Sequence, residues 1–81
     1  MKAIIEKPLS YCNVPLVIYI YVAILNRITQ SNNEEELRET MGLLSIECTG
    51  TFDSIFDYGF GSNHMWVSEK ESGKRLILVE F

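Results

Sequence analysis

The longest uninterrupted apolar stretch of the chain, Val14 to Leu25, sets two periodicities against each other. Val17 to Val22 is β-branched and aromatic, a composition that favours strand. The less apolar positions in and after it are Tyr19, Ala23, Asn26, Arg27 and Gln30. They are spaced i, i+4, i+7, i+8 and i+11, which is one face of a helix. Pro15 suits a first helical turn, and Asn13 is placed to cap it. The spacing therefore predicts a helix over 14–30 with a narrow polar stripe and a wide apolar face. Such a helix is sandwiched within its own fold or packed against a partner. The run is shorter than the roughly 20 residues that cross a bilayer, so no membrane span is expected.

Around that segment the pattern is simpler. Residues 2–7 read as a short strand that ends at Pro8, and 9–13 connect it to the helix. Ser31-Asn-Asn-Glu34 reads as a capping box, with Asn33 to Glu36 as the alternative register. Leu37, Met41 and Leu44 then line one face of a short amphipathic helix over 31–43, with Glu34 one turn from Arg38. From residue 44 the period changes to two: Leu44, Ile46, Cys48, Phe52, Phe56, Tyr58 and Phe60 all fall on even positions, with Ser54 an imperfection on the same face. That period of two predicts one bent strand, or two, over 44–58, with Gly50 at the bend. Residues 58–63 read as a loop. Residues 64–81 read as a hairpin with its turn at Glu71-Ser72-Gly73-Lys74. The strand Leu76-Ile-Leu-Val79 is apolar at every position, which predicts a central strand covered on both sides.

The sum is an α+β fold, β-α-α-β-β-β: an antiparallel sheet of three to four strands with two helices on one face. At 81 residues, it forms one domain over 1–81. A chain of this size buries roughly 60–65% of its unfolded surface, which leaves little room for a deep cleft.

Charge narrows the function classes. Seven Lys and Arg against eleven Asp and Glu give a net charge of −4. Direct nucleic-acid binding is disfavoured, because phosphate neutralisation needs clustered Lys and Arg. Cys12 and Cys48 do not form the dense framework of a small secreted domain. Both are read as buried thiols of a cytoplasmic protein, and the N-terminus, interrupted by Glu6 and Lys7, is no signal peptide.

Candidate chemistry is sparse. Gly59-Phe-Gly-Ser-Asn-His64 begins like a phosphate-binding turn, but it lacks the third glycine and precedes a strand rather than a helix. His64, Cys12 and Cys48 are too scattered for a metal site, and no cofactor is expected. Asp53 and Asp57, read as strand residues, would stand about 13 Å apart, too far for a carboxylate dyad. These features predict a non-enzymatic module that binds another protein as a regulator or inhibitor, and that forms a homodimer. Tyr58, Phe60 and Trp66 flank the loop and are the expected partner-binding aromatics, with Asn63 and His64 donating or accepting hydrogen bonds. One alternative is an acidic inhibitor of a nucleic-acid-handling enzyme, of the phage or mobile-element kind, that fills its basic groove with Glu34, Glu35, Glu36, Glu39, Asp53 and Asp57. Against it, such a charge run is more commonly a solvated helix face. A small hydrolase or metal protein centred on His64 is the last alternative.

Overall fold

The computed structural model describes residues 1–10, 13–48 and 50–81. The elements run β1 (Lys2–Ile5), α1 (Pro15–Gln30), α2 (Glu34–Glu47), α3 (Thr51–Ile55), β2 (Phe56–Phe60), β3 (His64–Glu69) and β4 (Arg75–Glu80). The strands form one antiparallel sheet in the order β1-β4-β3-β2. The architecture is the expected β-α-α-β-β-β, with the short α3 added.

In α1 the helical period prevails over the strand propensity. Val17, Ile20, Ile24 and Ile28 are buried, while Tyr19, Asn26 and Gln30 face out. Each buried Ile or Val contributes about 1.5–3 kcal/mol by leaving water, more than the few tenths per residue that β-branching costs a helix. Pro15 opens the helix as its fixed φ allows. The N-cap is Val14, with no side-chain hydrogen bond, rather than Asn13. Ser31 closes α1 by donating its hydroxyl to the Arg27 carbonyl (2.7 Å). With Ser31 so engaged, α2 is capped in the alternative register: Asn33 Oδ1 accepts from the Glu36 amide (2.9 Å).

Of the strand or strands expected over 44–58, only 56–58 are strand, and the rest is a correction. Residues 44–47 complete α2, and Thr51–Ile55 form α3. The amide of Phe52 donates to the Cys48 carbonyl four residues back (2.8 Å), as in a helix. Leu44, Cys48, Phe52 and Phe56 are spaced by four, and a spacing of four satisfies a helix face and an even-position count alike. Ile46 separates the two readings, because it is 70% exposed. Gly50 adopts φ 83°, a left-handed conformation that redirects the chain into α3 at little steric cost. Cys48 is a free, half-buried thiol. Cys12 lies outside the described residues.

Two further strand readings change. β2 extends to Phe60, so only Gly61–Asn63 connect it to β3. β4 is central, between β1 and β3, but it is not covered on both sides. Its register steps between Val67 and Ser68, with Val67 opposite Ile77 and Ser68 opposite Arg75. Leu76 is the extra residue of this bulge, so Leu76 and Ile77 are consecutive and both fully buried. Leu78 is only half-buried. The bulge, not a second covering layer, accounts for the apolar run. The turn lies where expected, with Gly73 at φ 70°.

The core joins Val17, Ile20, Ile24 and Ile28 of α1 to Leu37, Met41 and Leu44 of α2, and these to Phe52, Phe56, Met65, Val67, Ile77 and Val79. The sheet members of this set share one face by strand alternation, so both long helices lie on that side.

Outside the core, Arg75 holds the exit of β1 through a two-pronged ion pair with Glu6, the Nη2–Oε2 arm at 2.9 Å. The hydrogen bond from Arg75 holds the Glu6 carboxyl below its ordinary value of 4.5. A depressed folded value adds stability above the unfolded pKa and loses it as pH falls through the folded one. Wild type should therefore melt above Glu6→Gln at pH 7, and the gap should close as pH falls below the ordinary carboxylate range. A gap that persists or widens in acid would exclude this linkage.

Candidate protein-binding surface

The register places a second set of residues on the face away from the helices. Lys2, Glu80 and His64 form one cross-strand row. Ile4, Leu78, Trp66 and Gly59 form the next, and Arg75, Ser68 and Asp57 a third. The middle row is apolar and half-buried, between two polar rows. Among the described residues no helix lies over it.

Two glycines shape this face by what they lack. A Cβ on Gly59 would stand 2.7 Å from Cε2 of Trp66, and one on Gly61 would stand 2.7 Å from Nε2 of His64. Both are closer than atoms can pack, so the indole packs directly against Gly59 and the imidazole against Gly61. Neither glycine has a positive φ. Beside the imidazole lies a broad, shallow depression of about 640 Å³, lined by Asn63, His64, Arg75, Leu78, Glu80 and Phe81.

The five candidate partner-binding residues divide between the two faces. Asn63, His64 and Trp66 come together on the open face. Tyr58 and Phe60 point the other way, because β2 continues through them and alternates about Gly59. Tyr58 meets Phe52 edge-on at 5.8 Å and Phe60 at 6.2 Å. Phe60 stacks on Phe81 at 6.3 Å, with the Arg38 guanidinium 4.3 Å from its ring centroid. Tyr58 and Phe60 are thus packing residues on the helix side, and they are not part of the open face. Leu78 and Ile4 belong to that face and carry no local signal of it, since their pairing with Trp66 is tertiary.

These strands and helices lie within a stretch matched by a family model described as a domain of unknown function (DUF8466), which covers residues 1–80. The chain belongs to this family. No curated protein and no solved structure matches it.

The acidic residues form no single surface. Glu34 is paired with Arg38 (3.1 Å), and Glu36 accepts from the Asn32 amide (3.3 Å). Glu35 and Glu39 are exposed on α2 and Asp53 on α3. Asp57 is on the open sheet face, away from all of them. Asp53 is helical, so the in-strand spacing expected between Asp53 and Asp57 does not exist. Among the described residues no group of three or more His, Cys, Asp and Glu side chains is arranged to hold a metal ion. No helix among them is long and apolar enough to cross a membrane.

One acidic residue has a different role. Glu69 is fully buried on the helix side of β3. Its Oε1 accepts from the Ser72 hydroxyl (2.7 Å) and its Oε2 from the Ser10 amide (3.3 Å). Its sequence signal is a glutamate in phase with Met65 and Val67.

Proposed function

We propose that this domain is a small, non-enzymatic module that binds another protein as its regulator or inhibitor, and that the open sheet face is the binding surface. The observation that supports this most is the uncovered apolar row of Ile4, Leu78 and Trp66 between two polar rows. A flat apolar strip that carries a tryptophan, with a polar rim, has the composition of a protein interface. Asn63 and His64 stand at its margin and supply hydrogen bonds to the partner. Division of the carboxylates between two sides of the fold weakens the acidic-inhibitor reading.

The two faces give opposite expectations on mutation. Trp66→Ala should weaken capture of the partner from the native host by about 2 kcal/mol while melting changes little. Phe60→Ala should lower stability by about 2 kcal/mol, through lost packing on Phe81, Tyr58 and Arg38, and leave capture by the folded fraction intact. Capture is read by affinity retention and mass spectrometry, and stability by thermal melting. The reverse pattern would move the binding surface to the helix side.

A further inference from the structure

The outer side of the helical layer is apolar as well. On α1, Leu16, Tyr19 and Val22 are 53%, 69% and 46% exposed, and on α2, Leu43 and Ile46 are 54% and 70% exposed. Steps of three keep each set on one side of its helix. The two sets adjoin. Leu16 and Tyr19 line a cleft of about 240 Å³ between the helices with Glu47 and Cys48, and Leu43 and Ile46 are within one turn of Glu47. Arg27 bridges from α1 to Glu47 at 3.2 Å, so the charges at this cleft are already matched.

We infer that this helical face is a two-fold interface with a second copy of this chain. The five side chains expose roughly 500 Å² of apolar surface, at the upper end of what a lone monomer shows. With a polar rim, that approaches the roughly 800 Å² per partner of a stable interface. A two-fold contact needs a patch that tolerates its own image. This one carries no unmatched charge at its centre: the acidic turn Glu34–Glu36 lies about 15 Å or more along α2 from Ile46, and exposed Glu39, one turn from Leu43, stands at the rim. A net charge of −4 disfavours an anionic membrane as the occupant. In the dimer, two helix pairs form a central layer between two sheets, and both open sheet faces point outward. The inference is independent of what those faces bind.

Sedimentation equilibrium at micromolar concentration tests it. Wild type should weigh twice the 9.3 kDa of one chain. Tyr19→Glu and Ile46→Glu, at exposed positions on separate helices, should keep the native far-ultraviolet circular dichroism. Each should raise the dimer dissociation constant at least ~100-fold, because a two-fold contact is hit twice. Trp66→Ala should remain dimeric. A 9.3 kDa wild type, a dimer unchanged in both variants, loss of fold in both, or co-flotation of wild type with phosphatidylserine vesicles would each overturn the proposal.

Discussion

Replacing Ile24 with glutamate should abolish the folded state. Ile24 has no exposed surface and lies mid-way along the buried face of α1. A carboxylate there is surrounded by Ile20, Ile28, Leu37, Met41 and the sheet side chains of the same core cluster. Burying it unpaired costs several kcal/mol, and a domain of this length has only about 4–12 kcal/mol of stability in total. The same substitution at Tyr19, five residues earlier and 69% exposed, should leave the far-ultraviolet spectrum native. Urea titration followed by circular dichroism separates the two. Native midpoints for both variants would refute the helical phase of α1.

The second large effect is expected at Glu69. Its carboxylate fastens the β3–β4 turn through Ser72 and the β1–α1 connector through the Ser10 amide. Its backbone closes the same turn, accepting from the Gly73 amide (2.8 Å) and donating to the Lys74 carbonyl (2.9 Å). Glu69→Ala removes the shared acceptor, leaves two donors short of a partner and opens a void. The expected loss is about 2–4 kcal/mol, a fall in melting temperature of roughly 10 °C or more. Glu69→Gln keeps one acceptor oxygen for Ser72 and should fall between alanine and wild type. Faster amide exchange at Ser10 in the alanine variant would locate the damage. A wild-type melt for Glu69→Ala would mean that the carboxylate holds nothing.

Much of the fold is legible where one periodicity has one interpretation. The polar stripe from Tyr19 to Gln30 defines α1 against its own strand propensity. The Asn33–Glu36 cap and the Leu37, Met41, Leu44 face define α2, and the Gly73 turn defines the hairpin. The misreadings occur where two structures produce one pattern. A spacing of four from Leu44 to Phe56 mimics alternation, and a bulge at Leu76 mimics a doubly covered strand. Gly59 and Gly61 look like loop glycines, yet each makes room for a ring that arrives from the neighbouring strand. The candidate surface was legible in the same partial way. Asn63, His64 and Trp66 fall together on one face because they are close in sequence. Tyr58 and Phe60 fall on the other because β2 runs on through them, which keeps them in phase with buried Phe56. Ile4 and Leu78 join Trp66 only through register, which no local pattern encodes.

The central claim is that the helix side holds the fold and the open sheet face binds a partner. Trp66 is the chain's one tryptophan, so its fluorescence reports on that face alone when the partner contains none or is labelled to remove its signal. Purified partner, recovered by affinity capture from the native host, would be titrated into the domain while Trp66 emission and iodide quenching are recorded. The account predicts a blue shift and loss of quencher access that saturate with binding, as a half-buried indole is covered. Saturable binding with Trp66 emission and quenching unchanged would contradict it.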